Sequence, residues 1–137
     1  MSANAIINQL KLEGFRSTKV RQALLEILWN ETCLLSLAEI QQRLRVRKLQ
    51  PNRSTLYREL KFLTEKNILN KNSIAGKDLF ELPRDHHHHL VCVECGGLTR
   101  VELENHLKSE EKKLEKEFRF QIVRHELEFY GVCNDCQ

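Results

Sequence analysis

The stretch Asn52–Leu82 reads NRSTLYRELKFLTEKNILNKNSIAGKDLFEL. In its first half Leu56, Leu60 and Leu63 recur at intervals of three and four residues, which places them on one face of a helix. Its second half holds two short strand-like runs on either side of a turn at 75–77, which is typical of a β-hairpin. The stretch therefore predicts a helix that is followed directly by a hairpin.

Three more helices are predicted before this stretch, over 5–12, from Thr18 to Trp29 and from about Ser36. Thr18 suits an N-cap, and Ser36 with Glu39 three residues later has the pattern of a capping box. A helix-turn-helix pair followed by a hairpin is the element order of a winged helix, in which the second helix of the pair enters the major groove of DNA. The first half of the chain is therefore predicted to bind double-stranded DNA.

The charge distribution divides the chain into two different halves. Residues 1–84 hold 15 Lys and Arg against 8 Asp and Glu, a balance of +7, whereas residues 85–137 hold 7 against 11, a balance of −4. A basic half suits phosphate binding, although a solvated surface has the same composition. The predicted DNA-contacting residues are Arg53, Thr55, Tyr57, Arg58 and Lys61 on the helix, with Arg16, Lys19 and Arg21 on phosphate.

Length and composition indicate a soluble globular protein. The chain has 137 residues, of which 41% are hydrophobic and 30% charged. No apolar run approaches the length of a membrane span, and the first twenty residues lack the pattern of a secretory signal. A cytoplasmic location without a membrane partner is therefore expected.

Four of the five cysteines form two C-x-x-C pairs, CVEC at 92–95 and CNDC at 133–136. In a reducing compartment such pairs are more often thiolate ligands than disulfides, and two of them complete the tetrahedron that Zn²⁺ prefers. A redox pair is the alternative, but a redox motif normally opens a helix and CVEC lies in a strand-like run. Cys33 is expected to be a buried thiol. The sequence thus predicts a structural zinc held by Cys92, Cys95, Cys133 and Cys136.

The first pair follows a run of four histidines, DHHHHLVCVECGG at 85–97. Side chains alternate across a strand, so His86 and His88 would face one side while His87 and His89 face the other. After it come a strand-like LTRVEL, an amphipathic helix from 105 to 118, and a run over 120–133 that alternates like a strand. So small an α/β unit is expected to pair with a second copy.

The ordered motifs RSTKVR (16–21), STLYREL (54–60), HHHHLVCVECG (86–96) and HELEFYGVCNDC (125–136) resemble the ferric uptake regulator (Fur) family. The resemblance implies an α+β chain with a winged helix-turn-helix domain over 1–82 and a metal-binding dimerisation domain over 83–137. It also implies a homodimeric, metal-responsive transcription regulator, usually a repressor, acting on a DNA operator.

The same resemblance implies two regulatory metal sites for Fe²⁺, Mn²⁺ or Zn²⁺, between which imidazole and carboxylate ligands do not discriminate. Glu81, His87 and His89 match a sensor site at the hinge between domains. His86, His88 and His125 match a second site in the dimerisation domain.

Three positions depart from the family pattern. Leu34 stands where a further sensor His is usual, Arg100 where an acid is usual, and Lys108 where the second site has a Glu. Glu102 or Glu104 could replace the acid missing at Arg100, and His106, Glu110 and Glu111 lie near Lys108. The ligand sets are therefore either rewired or weakened.

Two other classes of function stay open on the sequence. A zinc-stapled protein-interaction module or metal buffer would keep the cysteines without metal-switched DNA binding. An enzyme is disfavoured, since four thiolates leave zinc no open coordination position.

Overall fold

The structure is a computed structural model that describes residues 2–83, 85–104 and 107–137. The chain divides into two units, Met1–Arg84 and Asp85–Gln137. The first contains α1 (Ala3–Leu12), α2 (Lys19–Asn30), β1 (Leu35–Ser36), α3 (Leu37–Val46), α4 (Arg53–Glu65), β2 (Asn70–Ile74) and β3 (Lys77–Glu81). The second contains β4 (His88–Cys92), β5 (Leu98–Val101), α5 (Lys108–Phe118) and β6 (Glu128–Gly131). The predicted α+β class is confirmed.

The helices of the first unit begin where their caps predict. The Thr18 hydroxyl accepts from the backbone N–H of Arg21 at 3.1 Å. Ser36 and Glu39 form the predicted capping box at the start of α3, with bonds of 3.2 and 2.7 Å. Satisfying these first N–H groups fixes the start of each helix.

The core of the first unit explains which face of α4 is left outside. Leu56, Leu60 and Leu63 are fully buried against leucines and isoleucines of α1, α2 and α3. Burying this face orients the opposite side of α4, including Tyr57 and Arg58, toward solvent. Apolar spacing in the sequence therefore sets the direction of the polar side chains.

The hairpin behind α4 is confirmed, and it is extended by a strand that the sequence did not indicate. The sheet order is β1-β3-β2, with β2 and β3 antiparallel and Leu35 paired with Phe80. The two turn residues, Ala75 and Gly76, have φ of 51° and 76°, as a two-residue type I′ turn requires. β1 is only two residues long, too short for an alternating pattern to be visible.

The sheet of the second unit has the order β5-β4-β6, in which β4 is antiparallel to β5 and parallel to β6. A parallel pair needs a crossover connection, and the segment containing α5 provides it. Because β4 and β6 run in the same direction, their carboxyl ends share one edge, where Cys92 pairs with Gly131. The two C-x-x-C turns follow these two ends.

The predicted strand over 120–133 is wrong except at β6. In the segment before β6, the backbone N–H of Ile122 donates to the Glu115 carboxylate at 2.9 Å, and His125 is bound by Glu111. The Glu115 side chain thus satisfies a backbone N–H that a strand partner would otherwise bind, and Glu111 holds the same segment through the His125 ring. Among the described residues, no helix combines the length and apolarity needed to cross a membrane.

Candidate functional site

Four cysteine sulfurs converge at the shared edge of β4 and β6. The ligand atoms of Cys92, Cys95, Cys133 and Cys136 lie within 4.8 Å of one another, and the sulfurs of Cys95 and Cys133 are 3.8 Å apart. A tetrahedron with zinc–sulfur bonds of about 2.3 Å has sulfurs about 3.8 Å apart, whereas a disulfide needs about 2.05 Å. The cluster therefore has the dimensions of a four-thiolate zinc site.

Backbone N–H groups favour the thiolate form of Cys92. Hydrogen bonds from Cys95 and Cys133 lower the pKa of the Cys92 thiol to about 6, and the Cys133 N–H lies 3.3 Å from its sulfur. A hydrogen bond between the Cys136 and Cys133 side chains, followed by burial, raises the pKa of Cys136 to about 12. Four adjacent thiols cannot all ionise without a cation, and Zn²⁺ would supply the compensating charge.

Three histidines form a second cluster near the start of β4. His86, His88 and His125 bring one ring nitrogen each within 4.8 Å of the others. The Nε2 atoms of His86 and His125 are 2.9 Å apart, and the His88 ring stacks on His125 at 5.2 Å between centroids. Converging imidazoles of this kind can bind a divalent transition metal.

Glu111 joins this cluster through His125 and was not assigned a role from the sequence. Its carboxylate binds the Nδ1 side of His125. Lys108, the position matched to the family's Glu, is exposed one helical turn earlier. The signal was available, since residues three apart share a helix face. Neither Glu110, which is exposed, nor His106, which lies outside the described residues, can be assigned to the cluster.

The predicted sensor residues divide between the two units. In the second unit the rings of His87 and His89 are 4.8 Å apart, and the buried Nε2 of His89 has no hydrogen-bond partner among the described residues. Burial, followed by the charges of His87, His88 and Arg100, lowers the pKa of His89 to about 4. A neutral, buried ring nitrogen is suited to a metal. Glu81 ends β3 in the first unit.

Arg100 places a positive charge beside this pair. It is directly opposite His89 in the β4–β5 register. Its guanidinium donates to Glu102 at 2.8 Å and lies 3.6 Å from the Asp85 carboxylate. The carboxylates of Asp85 and Glu102 are therefore engaged by this arginine.

A cleft in the first unit collects the residues suited to DNA. It measures about 730 Å³ and is lined by the start of α3, the outer face of α4 with Arg53, Tyr57 and Arg58, and the hairpin turn with Lys77. Thr55 and Lys61 are exposed on α4, but they do not line the cleft. The exposed face of α4 and the hairpin turn thus lie on the same side of the first unit.

Of the residues predicted to meet phosphate, Arg16 and Lys19 are exposed, but Arg21 is buried. The Arg21 guanidinium is bound by both oxygens of Glu59 on α4 and donates to the Arg16 carbonyl at 2.6 Å. It also lies over the Phe62 ring at 4.5 Å. Arg21 therefore connects α2 to α4, and Glu59 is a structural partner that sequence patterns did not indicate.

Comparisons with known proteins agree with this architecture. The family model described as "Ferric uptake regulator family" matches residues 12–130. The Bacillus subtilis ferric uptake regulation protein is 31% identical over 137 residues, covering 96% of this chain and 91% of the relative. The Vibrio cholerae ferric uptake regulator has a TM-score of 0.79 at 29% identity, covering 92% of this chain and 98% of that one.

A further solved structure, the Helicobacter pylori ferric uptake regulator, has a TM-score of 0.84 at 20% identity, covering 99% of this chain and 94% of that one. That structure is described as having three functional metal binding sites. The family match spans both units and includes β4, which connects the histidine cluster to the cysteine cluster. The chain therefore belongs to the ferric uptake regulator family, whose members are metal-responsive transcription regulators.

Proposed function

We propose that this chain is a homodimeric repressor that binds an operator through its first unit and is switched by divalent metal bound through its second. The observation that carries the proposal is the cleft of the first unit, where the exposed face of α4 meets the hairpin turn. The leucine face of α4 is buried and its basic face is exposed, as a helix that contacts DNA bases requires.

The DNA contacts are assigned from exposure. Arg53 and Arg58 can reach base edges or phosphates from α4, and Tyr57, which is 46% exposed, offers an aromatic face and a hydroxyl. Arg16, Lys19 and Lys61 are exposed and suit the phosphate backbone, although Lys61 lies 4.0 Å from the Glu65 carboxylate. Each phosphate contact releases counterions and makes affinity depend on salt.

The four cysteines are proposed to hold a structural zinc. Cys92 ends β4 and the other three cysteines follow β4 or β6, so the ion would join two strand ends that are separated by a long crossover. Four thiolates bind Zn²⁺ too tightly for it to serve as the switch.

Two reversible sites are proposed for Fe²⁺, Mn²⁺ or Zn²⁺. The sensor site takes His87 and His89, supported by their paired rings and by the buried Nε2 of His89, for which the described residues offer no hydrogen-bond partner. The family resemblance adds Glu81 to this set. The second site takes His86, His88 and His125. A metal that favours one arrangement of the chain shifts the population toward it, and this is how binding would change DNA affinity.

Homodimer formation is proposed through the second unit. In the part of the chain that the structure describes, α5 buries none of its side chains, and large apolar residues of this unit stay exposed. Exposed apolar side chains of this size favour an interface with another chain. The exposed residues are Leu90, Val93, Leu114, Phe118, Phe120, Val123, Phe129, Tyr130 and Val132.

The test is fluorescence anisotropy with a labelled duplex from the protein's own promoter region, with and without Mn²⁺, Fe²⁺ or Zn²⁺. We expect metal to tighten binding and Arg58→Ala to weaken it, while Lys11→Ala, an exposed charge on α1 outside the cleft, leaves it unchanged. Equal affinity with and without every metal would remove the switch and leave DNA binding intact. Loss of the salt dependence would instead favour an interaction module.

A further inference from the structure

We infer that Glu111 is the residue that positions His125 for metal at the second site, in the place that the sequence pattern gives to Lys108. The inference rests on the proposed function of that site. The Glu111 carboxylate binds His125 Nδ1 across 14 residues of sequence, and the two side chains are only 27% and 18% exposed. The contact is therefore well shielded from water.

The two ring nitrogens of His125 face different partners. Nδ1 faces the Glu111 carboxylate, and Nε2 lies 2.9 Å from Nε2 of His86. A carboxylate accepts hydrogen bonds, so it holds the proton on Nδ1 and leaves the Nε2 lone pair directed at the imidazole cluster. A carboxylate that fixes the tautomer of a metal-binding histidine in this way also fixes the orientation of its ring.

The support extends along one face of α5. Glu115, one turn beyond Glu111, accepts from the backbone N–H of Ile122 at 2.9 Å. These two carboxylates therefore hold the segment that carries His125 against the helix at two points. Lys108 is exposed and its ammonium has no acceptor atom to offer the ring.

The donor set favours a particular class of cation. Three imidazoles from His86, His88 and His125 converge, and the Glu111 carboxylate binds Nδ1 of His125, away from these converging nitrogens. Nitrogen ligands suit borderline divalent ions such as Zn²⁺ and Co²⁺ better than Mg²⁺ or Ca²⁺, which require oxygen. The second site is thus a three-histidine site for a transition metal, with Glu111 outside the coordination sphere.

The test uses full-length protein with zinc already in the cysteine site and His87→Ala present, so that a single reversible site remains. Co²⁺ is titrated while its visible absorption and heat of binding are followed. We expect Glu111→Ala to weaken Co²⁺ binding by about 10–100-fold. Glu111→Gln should lose less Co²⁺ affinity, because its amide oxygen can still accept a hydrogen bond from Nδ1–H of His125. Glu110→Gln, the same change on the exposed neighbour, should match the parent.

A second measurement separates positioning from a structural role. Nitrogen-15 NMR of the metal-free protein should place the His125 proton on Nδ1 in the parent and lose that preference in Glu111→Ala. One retained zinc per chain verifies that the second unit of each variant is folded. Co²⁺ affinity of Glu111→Ala within about twofold of Glu110→Gln, a factor worth only about 0.4 kcal/mol, would overturn the inference. If His125→Ala binds as much Co²⁺ as the parent, the site itself is refuted instead.

Discussion

Arg21 provides the sharpest test of how the first unit holds α4 in place. Its guanidinium is bound by both carboxylate oxygens of Glu59, donates to the Arg16 carbonyl and covers the Phe62 ring. We predict that Arg21→Met destabilises this unit, because Met keeps the apolar stem while removing every charged contact. The charge of Glu59 is then left without its partner.

The magnitude follows from burial. The side chains of Arg21 and Glu59 are only 11% and 16% exposed. Breaking a buried ion pair from one side costs about 3–5 kcal/mol, and the lower end applies here because Glu59 retains some access to water. With a urea slope of about 2 kcal/mol/M, a loss of about 3 kcal/mol lowers the unfolding midpoint by about 1.5 M.

Urea unfolding followed by Trp29 fluorescence measures this change. Trp29 is the only tryptophan of the chain and packs against the core of the first unit. The double variant Arg21→Met with Glu59→Leu should recover most of the stability, since it removes both buried charges. A wild-type midpoint in Arg21→Met, together with a DNA salt slope smaller by about one, would refute the structural role and assign Arg21 to phosphate.

Three further predictions concern the metal sites and the hairpin. Cys92→Ser should reduce tightly bound zinc from one ion per chain to none, measured by elemental analysis after mild chelation. Arg100→Asp should tighten Mn²⁺ binding at His87 and His89 by about tenfold or more in isothermal titration, because a positive charge beside the ion is replaced by an acid. Ala75→Asn should stabilise the first unit by about 0.5–1 kcal/mol in urea, because Asn tolerates the positive φ that Ala75 adopts.

Each of these has a matched control. Cys33→Ser, outside the four-sulfur cluster, should retain the tight zinc. Arg119→Asp makes the same charge change on an exposed side chain of the second unit that is not adjacent to any proposed metal ligand, and it should leave Mn²⁺ affinity unaltered. Ser73→Asn, an exposed substitution in β2 without positive φ, should not stabilise. Unchanged Mn²⁺ affinity in Arg100→Asp would mean that the guanidinium does not oppose the metal.

Local sequence patterns predicted the helices of the first unit well, because their buried faces and their caps depend on residues three or four positions apart. Leucine spacing fixed the inner face of α4, and hydroxyl or amide caps fixed where the helices begin. The spacing of the two C-x-x-C pairs predicted that their four sulfurs lie together, because cysteines at this spacing commonly coordinate one metal ion. His86 and His88 came together as strand alternation predicts, although the strand itself begins only at His88.

Contacts between distant side chains escaped prediction. Arg21 looked in the sequence like any exposed basic residue, and only the fold shows that Glu59, 38 residues away, faces it. The alternating run before β6 is held by carboxylates of α5 instead of a strand partner, and alternation alone cannot distinguish these cases. Glu111 was noted only as a neighbour of Lys108, because a residue-by-residue match does not show that positions three apart share one face of a helix.

The parallel pairing of β4 with β6 has a consequence for synthesis on the ribosome. The first unit completes its strand pairings by Glu81, so it can fold while later residues are still being added. In the second unit the central strand lacks one neighbour until Gly131 has emerged, and zinc lacks two of its four sulfurs until Cys136 follows. A nascent chain therefore presents two zinc-binding cysteines and an unpaired strand edge for about 40 residues of elongation, which at about 5–20 residues per second is a few seconds. The order of translation thus lets the first unit fold before the four cysteines can come together.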